Sequence, residues 1–162
     1  MSIAKKKASK NEYIKSLSQQ HHLNLVFCWK VRQGLKKQIP VARVYNYVQY
    51  FWQTYLQYHF QAEEIILAPL LNDRQAIKVI KEHEKIRKQV QQLAAYSEKN
   101  LRLELGEFVE MLYEHIQYEE RSLYPRLERQ MTDEQVQLLS RRIRKLKQYD
   151  FEDQYEDCFW NN

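Results

Sequence analysis

The chain has 162 residues, enough for one domain with a single hydrophobic core, and a formal net charge of +5. Its 2 glycines and 3 prolines are far fewer than a mixed or all-β protein needs for its turns, and good helix formers dominate. The composition therefore predicts an all-α fold and excludes a β-rich one.

Neither the charge nor the cysteines indicate a nucleic-acid-binding, membrane or secreted protein. The basic runs at 5–10 and 141–147 lack a nucleic-acid recognition motif. No apolar run reaches about 18 residues, and the basic N-terminus lacks the apolar stretch of a signal peptide. Cys28 and Cys158 form no disulfide framework. We therefore expect a cytoplasmic protein with no specific nucleic-acid partner and no membrane partner; the sequence identifies no protein partner.

Apolar residues spaced three and four apart predict four long helices after a disordered basic tail at 1–10. The first helix is predicted over 11–37, the second over 40–67, the third over 73–97 and the fourth over 101–126. Short connections between long helices favour an up-down-up-down antiparallel four-helix bundle.

The bundle is predicted to occupy residues 11–130 and to carry a short extra C-terminal helix. The sequence from Thr132 to Gln135 is a capping-box signature, which opens a short basic helix within 131–148. Residues 149–162 form an acidic, aromatic tail. Two alternatives stay open for this tail: its aromatic side chains dock on the bundle, or it frays.

A repeated motif pairs a histidine with a carboxylate four residues later. His59 precedes Glu63 in the second helix, and His115 precedes Glu119 in the fourth; a proline six positions further on is expected to stop each segment. Positions four apart lie only about 40° apart around a helix. Imidazole and carboxylate therefore point the same way and can hold the same metal ion.

Two further histidines extend this arrangement. His21 and His83 lie in the apolar stripes of the first and third helices. If neighbouring helices run antiparallel, these two histidines lie at the same level along the bundle as the repeated motifs of the second and fourth helices. Cys28, two turns beyond His21, is expected to be a core residue rather than a ligand. The predicted metal ligands are His21, His59, Glu63, His83, His115 and Glu119.

The donor types limit the choice of metal. Imidazole and carboxylate without thiolate suit iron, manganese or zinc. Two carboxylates able to bridge two cations favour a binuclear iron or manganese centre, with zinc as an alternative. The ferritin-like class uses Glu-x-x-His motifs, and no histidine here follows a glutamate at that spacing. Ferritin-like chemistry is therefore disfavoured.

These motifs together resemble the hemerythrin-like (HHE cation-binding) family over most of residues 13–130. The resemblance rests on the segments 17–22, 59–64, 82–84 and 115–125. It implies a four-helix bundle with an oxygen-sensitive, oxo- or hydroxo-bridged centre of two iron ions. It also implies roles in binding dioxygen or nitric oxide, sensing iron or oxygen, or peroxide and iron-centre chemistry.

Two ligand assignments are left open by this resemblance. Oxygen-carrying hemerythrins place the last carboxylate five residues after the histidine, which corresponds to Glu120; helical geometry and symmetry favour Glu119. In the first helix His21 is preferred over the neighbouring His22, because it fits both the Leu-Ser-x-x-His pattern and the apolar stripe.

One position departs from the family pattern. Arg87 stands where oxygen carriers have a second histidine in the third helix. A guanidinium does not ligate iron, so we expect it to turn away or to pair with a carboxylate such as Glu63, Glu119 or Glu120. The loss of this imidazole leaves one iron with an open coordination position, or with a position filled by a seventh protein ligand. Simple reversible oxygen carriage is therefore not favoured. The tyrosines near the site by sequence are Tyr55, Tyr58, Tyr113 and Tyr118.

The expected function is that of a non-haem di-iron protein that binds or senses dioxygen, nitric oxide or iron. The alternative is a di-iron redox enzyme, either a peroxidase or an iron donor in cluster repair. A metal-free helical adaptor is a third, more distant reading. In the first two cases the partner is a small diatomic ligand or peroxide, and whether the protein is an enzyme stays open.

Overall fold

All regular structure in the described part of the chain is helical, which confirms the predicted all-α class. The computed structural model describes residues 10–66, 73–145 and 151–161, and these contain no strand. The elements are α1 Lys10–Lys36, α2 Val41–Phe51, a π-helical segment Trp52–Leu56, α3 Gln57–Ile66, α4 Asp73–Gln92, a 3-10 turn Leu93–Ala95, α5 Glu98–Tyr118, a second π-helical segment Glu119–Leu123, α6 Tyr124–Gln130 and α7 Asp133–Lys145. None of these helices is long and apolar enough to cross a bilayer.

The fourth predicted helix continues through its proline. The expectation that a proline stops each repeated segment is wrong for Pro125, which lies in the first turn of α6, and this helix reaches Gln130. Proline lacks an N–H and its ring crowds the carbonyl four residues earlier. The π-helical segment Glu119–Leu123 precedes it directly, and such a widened turn relieves that conflict. Pro69, which ends the other copy, lies outside the described residues.

Two apolar clusters lie on either side of the predicted ligand level. The larger contains buried residues of α1, α2, α4 and α5, for example Phe27, Val48 and Phe108. The smaller contains Leu17 and Val79, together with residues of α6. Because the ligand positions lie between these clusters along α1 and α4, packed hydrocarbon limits the access of water from both directions.

The short C-terminal helix starts with the predicted capping box. The Gln135 backbone N–H donates to Thr132 Oγ1 at 3.2 Å, and the Thr132 N–H donates to Gln135 Oε1 at 2.9 Å. These reciprocal bonds satisfy two N–H groups that would otherwise lack partners at the start of α7. The structure therefore contains the predicted helix start.

Of the two alternatives for the acidic, aromatic tail, the structure shows docking. Phe159 and Trp160 are buried against the larger apolar cluster. Asp153 accepts hydrogen bonds from the Tyr47 hydroxyl at 2.5 Å and from Lys30 Nζ at 2.7 Å. Apolar burial and charge-assisted hydrogen bonds together hold the tail against α1 and α2.

Candidate metal centre

The structure brings all six predicted ligands together in the interior. Each is at most 3% exposed. His22, the alternative to His21, is exposed. Glu120, the alternative to Glu119, has a side chain that is 31% exposed. The six buried residues are His21 on α1, His59 and Glu63 on α3, His83 on α4, His115 on α5 and Glu119 at the start of the second π-helical segment.

Helical spacing aligns each histidine with its carboxylate. On α3, His59 Nε2 lies 3.0 Å from Glu63 Oε1. The second copy places His115 Nε2 3.3 Å from Glu119 Oε1. The π-helical segment begins at Glu119, so the spacing between these two residues is that of a regular helix. Both repeated motifs therefore direct imidazole and carboxylate into the same space.

The donor atoms form two groups that share a carboxylate. Within each group all donor atoms lie within 4.8 Å of one another. Glu63 Oε1 lies 3.1 Å from His21 Nε2, and Glu63 Oε2 lies 3.2 Å from His83 Nε2. Its two oxygens thus face different groups, as in a bridging carboxylate. One group contains Glu63, His83, His115 and Glu119, and the other contains His21, His59 and Glu63.

Glu119 also faces histidines of both groups. Its Oε1 lies 3.3 Å from His115 Nε2, and its Oε2 lies 3.0 Å from His21 Nε2. The two buried carboxylates therefore span the distance between the groups. Such an arrangement suits two neighbouring cations better than one.

Each inward histidine has an acceptor on its outer nitrogen. The Nδ1 partners are Glu120 Oε1 for His21 at 2.7 Å, Gln20 Oε1 for His59 at 2.8 Å, Glu64 Oε1 for His83 at 2.8 Å and Glu82 Oε2 for His115 at 2.6 Å. Because all four partners accept, Nδ1 donates in each pair, which leaves Nε2 as the ring nitrogen that faces the carboxylates inside. Metal-binding histidines characteristically have such outer acceptors.

These outer acceptors were missed by the sequence analysis. The residue after each motif carboxylate, Glu64 or Glu120, is partly exposed but accepts from a histidine on another helix. Adjacency to a ligand was the available signal for these two. Glu82 and Gln20 show the same adjacency, since they directly precede His83 and His21. All four partners lie on other helices, so the sequence does not reveal which histidine each acceptor meets.

The donor atoms fit a metal cation and are poorly satisfied without one. Glu63 Oε2 and both oxygens of Glu119 are buried and have no hydrogen-bond partner of good geometry within the described part of the chain, although histidine nitrogens lie 3.0–3.3 Å away. His83 Nε2 and His115 Nε2 face each other at 3.1 Å. Two donors at right angles around an ion with bonds of about 2.1 Å are about 3 Å apart. The spacing is therefore that of ligands around a shared ion.

The electrostatics of the centre favour positive charge. Burial opposes ionisation of Glu63, but His59, His21 and His83 outweigh it and hold the pKa of this carboxyl well below its ordinary range. Burial lowers the pKa of His21, but the nearby carboxylates of Glu119, Glu120 and Glu63 prevail and raise it well above the usual value. In the metal-free protein a proton on His21 thus supplies charge that a cation would otherwise provide.

Arg87 contacts a carboxylate other than those expected. Its guanidinium pairs with Glu64, with NH1 2.9 Å from Oε1 and NH2 3.1 Å from Oε2. The expected pairing with a carboxylate is thus present, but the partner is none of the three that were named, Glu63, Glu119 and Glu120; it is Glu64, which also accepts from His83 Nδ1. Arg87 thus pairs with an outer carboxylate that supports His83 rather than with a predicted metal ligand.

A tyrosine that the sequence analysis did not name lies within the centre. Tyr124 is buried, and its hydroxyl donates to Glu63 Oε1 at 2.8 Å. On a regular helix it would lie about 140° from Glu119, five residues earlier. The extra residue in the π-helical segment brings it back toward the carboxylate. By contrast, Tyr55 directs its hydroxyl to the Gln20 backbone carbonyl at 3.2 Å.

Cys28 is a core residue, as predicted. Its side chain is buried in the larger apolar cluster, with Sγ 3.9 Å from the Val109 carbonyl oxygen. Burial raises the pKa of the Cys28 thiol to about 12. A neutral thiol in hydrocarbon surroundings is a poor metal ligand.

Comparison with known proteins agrees with this geometry. A family model described as the hemerythrin HHE cation binding domain matches residues 78–159, half of the chain. The match includes His83, His115 and Glu119, which form most of the four-residue group. No curated protein and no solved structure was found to match. The chain therefore belongs to the hemerythrin HHE cation-binding domain family.

Proposed function

We propose that this is a non-haem di-iron protein that binds or senses dioxygen, nitric oxide or iron. One observation carries the proposal: four imidazole Nε2 atoms converge on two buried carboxylates, and three of the four carboxylate oxygens have no hydrogen-bond partner among the described residues. Burying two carboxylates so close together raises the free energy of the folded protein unless cations neutralise their charge. The paired donor groups favour two ions, and the donor types favour iron.

The proposed role of each ligand follows from its position. His21 and His59 would hold one ion, and His83 and His115 the other. Glu63 would be shared by both ions, since it belongs to both donor groups and its two oxygens face different histidines, and Glu119 would help hold the ion between His83 and His115. Bound iron would supply one-electron redox chemistry and coordination positions for a small ligand.

Residues around the ligands keep the centre organised. The outer acceptors on Nδ1 fix the ring orientation and the tautomer of each histidine. The two apolar clusters limit water, so that a small uncharged molecule has little competition from bulk solvent. Both features favour selective binding of a diatomic ligand.

The same reasoning supports two further proposals about the chain. Ligands contributed at one level from α1, α3, α4 and α5 are what an up-down-up-down four-helix bundle would provide. We also propose a cytoplasmic location, which suits a protein whose Cys28 and Cys158 are both free thiols.

Metal analysis and ligand titration test the function. The full chain would be loaded with ferrous iron under anaerobic conditions, and about two iron atoms per chain are expected. Dioxygen, nitric oxide and peroxide would then be added while charge-transfer absorption is followed. Reversible spectra support binding or sensing, whereas turnover with a reductant indicates the enzyme alternative.

Adjacent histidines provide a matched control for the loading experiment. His21→Ala is expected to lower iron content, while His22→Ala should retain it, because His21 is buried in the donor cluster and His22 is exposed. One zinc per chain, or no metal after anaerobic iron loading, would refute the proposed di-iron centre.

A further inference from the structure

The two proposed metal positions are unequally supplied with donors. Four residues contribute to one group, but only three contribute to the group that contains His21, His59 and Glu63. Glu119 reaches His21 but belongs only to the four-residue group. The three-residue position therefore has room for another protein donor.

Tyr124 places a phenol oxygen at that position. Its hydroxyl lies 2.8 Å from Glu63 Oε1 and 3.3 Å from His21 Nε2, two of the three donor atoms. The Tyr124 ring stacks on the His21 ring, with centroids 5.2 Å apart and planes within 4°. The side chain is 2% exposed. Stacking and burial together hold the phenol oxygen of Tyr124 beside Glu63 Oε1 and His21 Nε2.

We propose that Tyr124 is the fourth protein donor to the metal ion held by His21, His59 and Glu63. This inference rests on the proposed function, since it requires iron in the centre. On binding of ferric iron the phenol O–H bond breaks, the proton leaves to solvent and an oxygen–iron bond forms. The anionic phenolate is a hard oxygen ligand, which suits a ferric ion.

The consequence is a chemically asymmetric pair of ions. The ion between His21 and His59 would gain a phenolate, while the ion between His83 and His115 would be held by imidazoles and the carboxylates of Glu63 and Glu119. A phenolate on ferric iron gives a visible charge-transfer band and resonance-enhanced ring vibrations, which imidazole and carboxylate do not. Ligation by Tyr124 is therefore observable without any measurement of activity.

The test compares the iron-loaded, oxidised full chain with two tyrosine variants. The wild-type protein is expected to show the phenolate band and vibrations. Tyr124→Phe should lose both while retaining its iron. Tyr55→Phe is the matched control: Tyr55 is also buried and stacks near His59, with centroids 6.1 Å apart, but its hydroxyl contacts a backbone carbonyl. This variant should keep the phenolate signals.

Each outcome separates this inference from the proposed function. A chain that binds no iron refutes the di-iron proposal itself. A protein that holds both ferric ions without phenolate signals, or a Tyr124→Phe variant that keeps them, overturns the inference alone. If Tyr124→Phe fails to fold, ring-deuterated tyrosine in the wild-type chain decides the question. Enhanced vibrations that shift on deuteration support phenolate ligation, and their absence overturns it.

Discussion

A methyl group at Gly34 would collide with the docked tail. A Cβ built there lies 2.6 Å from Phe159 Cε2 and 2.8 Å from Val44 Cγ2. Both neighbours are buried, with Phe159 3% and Val44 0% exposed. At Gly106, also inside a helix, the nearest atom is Leu35 Cδ1 at 3.8 Å, an ordinary contact. The two glycines therefore form a matched pair.

The pair isolates the energy of the steric conflict. Replacing a helix-interior glycine by alanine stabilises the helix by about 1 kcal/mol. This gain applies to Gly106 inside α5, and less of it to Gly34, which lies in the last turn of α1. Gly34→Ala additionally overpacks the tail contact, which costs about 1–3 kcal/mol. Because the helix contribution at Gly34 does not exceed that at Gly106, Gly34→Ala is expected to be less stable than Gly106→Ala by at least about 1–3 kcal/mol. In a chain of this length the gap corresponds to roughly 2–12 °C in Tm.

Urea unfolding of the two metal-free full-length variants measures this gap, with thermal melts as a second readout. Equal metal state is required, because a bound cation would stabilise the native form of either variant. Gly106→Ala should equal or exceed the wild type in stability, and Gly34→Ala should fall below Gly106→Ala. A Gly34→Ala variant as stable as Gly106→Ala would show that Phe159 does not pack on this face of α1.

Three further predictions concern the centre and the thiols. Glu63→Ala should abolish iron loading, since this carboxylate belongs to both donor groups. Glu64→Ala should weaken iron affinity by only about 10–100-fold, because it removes an outer acceptor. Equal losses of iron affinity for the two variants in metal titrations would contradict this. Arg87→His should slow autoxidation in stopped-flow spectra, and a wild-type protein that releases dioxygen over many cycles would refute it. Exposed Cys158 should react with a thiol reagent in the native state, and Cys28, with its pKa about 12, only after unfolding; native labelling of both disproves this.

The positions of the histidines were predictable because periodicity and spacing encode them. His21 and His83 lie in apolar stripes, and the carboxylates of the repeated motifs follow their histidines by one helical turn. The choice of Glu119 over Glu120 also followed from regular helical geometry, and the structure places Glu119 in the donor cluster. These inferences need only the backbone geometry of a helix.

Contacts that depend on irregular backbone or on tertiary pairing were not predictable in this way. Tyr124 reaches the centre because a π-helical segment shifts its direction, and no local pattern identified that segment. Arg87 meets Glu64 across two helices, so its partner depends on how α3 and α4 pack. The same limit applied to Glu82, whose partner His115 lies on α5.

The docked tail also has a consequence for the timing of synthesis. Lys30 and Asp153 are separated by 123 residues along the chain, and Phe159 closes the space beside Gly34. At about 5–20 residues per second, a ribosome needs roughly 6–25 s to produce that separation. During this interval the tail-binding surface of α1 and α2 has no covering segment. The apolar surface of α1 and α2 must therefore be kept from associating with other chains until Phe159 and Trp160 have been synthesised.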